Sequence, residues 1–360
     1  MQVLKYIDYF RMAAAILVVA IHTSPLLSFN ETGDFILTRI AARIAVPFFF
    51  MVSGFLLFGR SAEGRERNGE KKRIYEFLIR TLKLYIIAIV LYLPLNIYMG
   101  YFNKEFIFIN LIKDIFINGT IYHLWYLPAA ITGAVLTWVC INRLGYKKAF
   151  IVTLGLYLIG IFGDSYYKSI AAIPRGQDFY KFLFQFFDYT RNGLFFAPLF
   201  FIMGGLAGKR KSVLKPRLLW ILFMGSMAFM IVEGLLLSHF KIQRHDSMYF
   251  MLIPTMYFLF QLLISEEGKG NLRRKTNNTK PFRKISMVIY LIHPWVIVGI
   301  RMVAKAAGVT DLFVTNSMLH FICVLTGSIL TGILYTYISQ KKILKNLLDK
   351  KCKEVSEIKN

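Results

Sequence analysis

Apolar positions along this chain come in long unbroken runs rather than in the one-sided stripes of a soluble helix. The stretches AAAILVVAIHTSPLL from Ala13 and LYIIAIVLYLPLNIYM from Leu84 carry no charged face. Such runs approach or reach the ~20 residues that cross a hydrocarbon core of ~30 Å. The pattern recurs and places spans at about 10–28, 38–58, 77–98, 122–141, 149–163, 192–208, 218–238, 247–264, 285–303 and 314–338. The expected fold is all-α, a polytopic integral membrane bundle of about ten transmembrane helices. Residues 1–338 are expected to form one transmembrane domain and 339–360 a basic cytoplasmic tail, with no soluble domain after the last span. Because the apolar pattern continues past the first run, a cleavable signal peptide is not expected.

Composition agrees, with 56% hydrophobic and 16% aromatic residues and a positive mean hydropathy, more apolar than a soluble domain of this size. The net charge of +24 would by itself suggest nucleic acid, but its distribution excludes that partner. The basic residues lie in short connections between apolar runs and not on one amphipathic face. With the N-terminus inside, the inner connections hold 29 Lys and Arg and the outer ones 9. The positive-inside rule then gives an N-in, C-in topology, and most of these charges read as topology signals that also attract anionic lipid. The long outer connection from Gly163 is rich in aromatics and carries both charge signs, as an amphipathic lid along the interface would. Cys140, Cys323 and Cys352 form no disulfide framework and no metal spacing, and no carboxylate and histidine cluster suggests a metal. No internal repeat supports an inverted-repeat transporter.

Against this apolar background a few polar residues stand out, since a titratable group costs several kcal/mol in hydrocarbon and marks a candidate site. Arg11 lies near the inner end of the first span and His22 eleven residues on. Eleven residues at ~100° each return both side chains to one face, ~16 Å apart along the axis. Arg11 is shallow enough to snorkel to the surface; His22 is too deep for that, although a hydrogen-bonded core role is open to it. The second span holds Pro47 and the pair Ser53-Gly54, where a helix bends or packs closely. The fourth opens with His123 and Trp125, the seventh holds Glu233, the ninth His293 before Pro294, and the tenth His320. Each alone can serve as helix-packing glue. Together they predict a polar cavity within the bundle.

These residues resemble the acyltransferase family 3 membrane proteins, which O-acylate sugars and other cell-envelope acceptors. Arg11 and His22 reproduce the family's R-x10-H spacing, and FFFMVSGFLL from Phe48 resembles its second-span signature. KKRIYEFLIRTLKLY from Lys71, HLWYL from His123 and IYLIHPW from Ile289 follow in the family's order, so that the resemblance covers the chain nearly end to end. It implies an enzyme of the bacterial cytoplasmic membrane that moves an acyl group, usually acetyl, from cytoplasmic acetyl-CoA to a hydroxyl of an envelope carbohydrate or similar acceptor. Acetyl-CoA is then the donor substrate, and no bound cofactor is expected. The donor's phosphates need cations at the inner mouth, where Arg11, Arg73, Arg80 and Lys83 lie. His22, with Arg11 the catalytic pair, would act as general base or transient acyl carrier. Ser53, His123, Trp125, Glu233 and His293 would line or support the cavity.

The sequence departs from the family in one respect. The tryptophan–glutamate signature of many sugar O-acetyltransferases is missing from the fourth span, where HLWYL stands. TRNGLFFAPLFFIMGG from Thr190 also resembles the membrane half of vancomycin-resistance serine racemases, in which a soluble pyridoxal-phosphate domain follows. Racemization by this chain alone is not expected. The alternative to acyl transfer is a membrane module that binds or takes up a small amino acid such as serine for a separate racemase. Arg11 and Arg80 would then bind the carboxylate. A purely structural anchor fits less well, because it needs no intramembrane Arg, His and Glu.

Overall fold

The computed structural model describes residues 5–59, 67–103, 107–209, 213–270 and 279–358. The basic stretches 60–66, 210–212 and 271–278 lie outside the described residues, as do the side chains beyond Lys341, including Cys352. All secondary structure among the described residues is helical. In chain order the α-helices are α1 (Lys5–Thr23), α2 (Glu31–Asp34), α3 (Ala45–Phe58), α4 (Arg67–Tyr98), α5 (Ile107–Lys113), α6 (Tyr126–Phe162) and α7 (Tyr167–Ala171). They continue as α8 (Pro174–Phe186), α9 (Ala197–Lys209), α10 (Pro216–His239), α11 (Leu252–Gly270), α12 (Lys280–Ala306) and α13 (Ser317–Ile358). Among the described residues seven helical stretches, with Glu31–Phe58 taken as one, are long and apolar enough to cross a membrane, and two shorter apolar helices accompany them. The protein is therefore a polytopic helical membrane protein, in which helices satisfy the backbone where lipid offers no partner.

Several boundaries differ from those the apolar pattern predicts. The second run begins earlier, at Glu31, because Asn30 caps it by accepting from the Gly33 amide; its path then passes through a π-turn and a 3-10 turn before α3. The fourth and fifth runs are joined without a loop. Helix α6 carries both and turns sharply at Gly145, whose φ of 73° lies where a side chain would be strained. The fourth span does not open with HLWYL, since α6 starts at Tyr126 and leaves His123 and Trp125 in the preceding turn. The tail is helical and continuous with the last run, through Ile358.

The chain divides into two compact units. The first comprises residues 1–38 and 270–360 and is built on α1, α12 and α13. Helices α1 and α12 run parallel, and α13 runs antiparallel to them. Ala15 and Val19 of α1 pack with Ile285, Ile289 and Ile297 of α12 and with Val324 of α13 to form the apolar centre. At one end Ser317 ties the start of α13 to the turn after α1, donating to the Pro25 carbonyl at 2.8 Å and pairing with the Ser28 hydroxyl.

The second unit, residues 39–269, is built around α3, α9 and α6. Helices α3 and α9 touch backbone to backbone. A Cβ added at Gly54 would lie 1.9 Å from the Phe201 carbonyl oxygen, and one at Gly204 would lie 2.0 Å from that of Met51. Small residues allow this close approach, the usual device for packing helices where no hydrophobic force acts between them. The sequence around Ser53-Gly54 reads as a bend or a close contact, and the structure makes it a contact. Phe50, Phe196, Phe200, Phe201 and Tyr157 fill the space around it with edge, tilted and stacked ring contacts.

Candidate functional site

In the first unit one stripe of α1 carries Asp8, Arg11, Ala15, Val19 and His22. The helical period places these on one face, with the apolar centre between two polar ends. At the N-terminal end Asp8 is fully buried. Its carboxylate accepts 2.7 Å hydrogen bonds from the Thr279 hydroxyl and the Arg283 Nε, and the Arg11 Nε lies 3.8 Å away. Arg11 is mostly buried, with 18% of its side chain accessible. Both arginines are thus turned toward one carboxylate. Such charge-assisted pairs are strong, and they hold the guanidinium planes in place.

At the other end of the stripe His22 lies half-buried against the ring of His293, with centroids 5.3 Å apart and planes 20° from parallel. His293 is fully buried on α12. Its Nδ1 lies 3.0 Å from the carbonyls of both Ile289 and Tyr290. Two acceptors at one nitrogen require that nitrogen to carry the proton, so in the neutral ring Nε2 holds the basic lone pair. The second carbonyl is available because Pro294 interrupts α12 and has no amide hydrogen to donate. His293 is thereby fixed in tautomer and orientation, and its ring forms a wall for His22.

The remaining expected site residues lie in the second unit. Ser53 donates to the Phe49 carbonyl one turn back. Arg73 is turned inward on α4 near Tyr146. Tyr146 donates to the Phe58 carbonyl and lies under the Lys209 ammonium, 3.7 Å from the ring centroid. Arg80 is exposed and bonded to Glu76 on its own helix, and Lys83 is exposed one turn on. His123 is buried edge-on to Tyr92 and Tyr122. Trp125 lies beneath the Arg191 guanidinium.

Glu233 accepts from the amides of Phe250 and Met251 at 2.7 and 2.9 Å and from the Tyr166 hydroxyl at 2.9 Å. It caps the start of α11, the favoured place for a carboxylate. His320 bonds the Phe313 carbonyl at 2.9 Å and closes the turn before α13 in the first unit.

Three participants escape a reading of the sequence alone: Asp8 and Arg283 in the first unit and Asp164 in the second. Asp8 sits three residues before Arg11, a spacing at which helical side chains meet, and this is the only local signal for it. Arg283 reads as one more inner-loop charge. Asp164 is fully buried, and its Oδ1 accepts from the amides of Ser247 and Met248 and from the Ser165 hydroxyl. Burial raises its pKa above the usual carboxylate value, against the lowering effect of the Ser247 amide. It is a loop knot whose two amide partners lie 83 and 84 residues away.

An all-helical membrane protein with an ordered imidazole pair and a clamped arginine on one helical stripe defines a class, that of polytopic membrane proteins with polar chemistry inside a span. The chain belongs to the acyltransferase 3 family, whose acyltransferase-domain model matches residues 4–337. It is 42% identical over 358 residues to an amino-acid racemase of Enterococcus faecalis, a match covering 98% of this chain and 47% of the relative. A serine/alanine racemase of Enterococcus gallinarum is 35% identical over 338 residues, covering 94% and 46%. A second amino-acid racemase of Enterococcus faecalis is 33% identical over 336 residues, covering 93% and 46%. The chain thus spans about half the length of these relatives. No solved structure is detectably similar.

Proposed function

We propose that the protein is an acyltransferase of the bacterial cytoplasmic membrane, crossing it ten times with both ends inside. It would move an acyl group, acetyl in the first instance, from a cytoplasmic CoA thioester to a hydroxyl of an envelope carbohydrate or similar acceptor. The observation that carries this reading is the His22–His293 pair on the stripe that also presents Arg11. His22 is the half-buried member and takes the role of general base. It accepts the hydroxyl proton as that oxygen attacks the thioester carbonyl; the C–S bond breaks, and the CoA thiolate leaves and is protonated. His293 orients His22 through its fixed ring. Arg11 is assigned to the donor, and Arg73, Arg80 and Lys83 on α4 to its phosphates. Membrane lipids surround the protein, and no tightly bound cofactor is required.

The test uses the protein reconstituted in liposomes with labelled acetyl-CoA and an envelope glycan extract. His22→Ala should lower transfer by about 100-fold or more without changing insertion or thermal unfolding. Full activity in that variant would overturn the mechanism. Arg80→Ala should weaken acetyl-CoA binding.

A second reading is favoured by the names of the relatives, which are amino-acid and serine/alanine racemases. In it the chain is a membrane module that binds or takes up a small amino acid such as serine for a separate racemase, with Arg11 and Arg80 on the carboxylate. Saturable L-serine uptake into the same liposomes, with no saturable acetyl-CoA binding, would select this second reading.

A further inference from the structure

A cavity of about 330 Å³ lies wholly within the second unit, between the end of α4, the start of α6 and the connection after α8. Its walls include Asp114, Asn118, Tyr122, Trp125, Asp188 and Arg191. Under the proposed topology it opens on the outer side. The polar groups on its walls are already ordered. Tyr101 donates to Asp114 at 2.6 Å, and the Asn118 amide nitrogen donates to Asp114 at 3.1 Å and to Asp188 at 2.6 Å. With both amide hydrogens directed at carboxylates, the Asn118 oxygen is fixed as an acceptor, and the other oxygen of Asp188 makes no hydrogen bond among the described residues.

Arg191 supplies the complementary donors. Its guanidinium lies 4.5 Å over the Tyr189 ring and 5.5 Å over that of Trp125, and it gives one hydrogen bond, to the Ser247 hydroxyl at 3.3 Å. Its other N–H groups make none among the described residues. Stacking of this kind holds a guanidinium plane rigid and leaves its edge for a ligand. Tyr122, 46% exposed, adds an aromatic face to the wall.

Two carboxylates against one guanidinium make the cavity net negative, which disfavours the polyanionic CoA donor. Planar donors and acceptors beside aromatic faces suit a neutral ring carrying several hydroxyls, each able both to donate and to accept. The volume is at the small end of the ~300–1,000 Å³ range of ligand pockets. It exceeds what a small amino acid fills, and such a ligand would leave the aromatic faces unused. We propose that this cavity is a binding site for a glycosyl unit, with Asp188, Asn118 and Arg191 holding its hydroxyls and Tyr122 its ring face. Its role as acceptor site rests on the acyl-transfer reading, whereas binding itself does not.

The test is calorimetric titration of the purified full chain in lipid nanodiscs with maltose, N,N′-diacetylchitobiose and L-serine, in the absence of acyl donor. Saturable binding of at least one saccharide is expected, weakened tenfold or more by Asp188→Asn and by Arg191→Gln at an unchanged unfolding midpoint. Asp188→Asn is nearly isosteric at an exposed position, so it keeps the test open if Arg191→Gln fails to fold. Binding of serine alone, of none of the three, or of saccharide with equal affinity in both variants would overturn the proposal. Saccharide binding retained in a protein that transfers no acyl group would instead sink the acyltransferase reading and leave the site standing.

Discussion

The two units employ buried polar groups differently. In the first, side chains meet side chains across helices: Asp8 with Arg283 and Thr279, and His22 with His293. In the second, side-chain pairs such as Arg43 with Asp246 also occur, but Glu233, Asp164 and Asn192 are spent chiefly on main-chain amides, at the start of α11, in the turn around Ser247 and in the turn before α9. A carboxylate that closes a turn is committed to that turn, because releasing it would leave amides without acceptors. His22, by contrast, meets the ring of a second histidine. Intramembrane polarity alone therefore does not mark a site. The kind of partner is the better guide: Glu233 is committed to a helix start, whereas His22 carries the chemistry only in the function proposed above.

This contrast can be broken by mutation. The largest effect on stability is expected from Asp8→Ala, which leaves Arg283 and Arg11 beside an uncompensated buried position. Removing one partner of a buried pair costs about 3–5 kcal/mol, read as a lower unfolding midpoint in nanodiscs. Glu233→Ala comes next, at about 2 kcal/mol, because the amides of Phe250 and Met251 lose their acceptor. It should leave the specific activity of the folded fraction unchanged, and a folded but inactive Glu233→Ala protein would erase the distinction between the units. Gly54→Ala follows at roughly 1–3 kcal/mol, the usual cost of overpacking a tight contact, since α3 and α9 must separate to admit the methyl group; denaturant titration would show it.

A pH dependence should also arise in the connection between α10 and α11. Burial, assisted by the neighbouring Arg244, lowers the His245 pKa from 6.5 to about 4. Its neutral form is therefore the one that folds. The stability it contributes is fully present above 6.5 and is lost as pH falls from there toward about 4. Unfolding midpoints measured across that window should drop less in His245→Gln than in the parent.

The sequence by itself determined the helical class, the membrane setting and the alignment of Arg11 with His22. These follow from the length of apolar runs and from the helical period, which act between residues near in the chain. It also exposed Glu233, His123 and His293 as polar residues in apolar surroundings, without distinguishing a cap from a reactive group. Only the tertiary structure showed what each of them meets. Asp8 finds Arg283 some 275 residues away, and Asp164 finds Ser247 across 83. The partner that a buried polar group meets depends on which helices pack together, and no local pattern of residues encodes it. The glycines follow the same logic. Gly54 reads as a bend or a contact, and the answer came from the carbonyl of Phe201 lying where its side chain would have been.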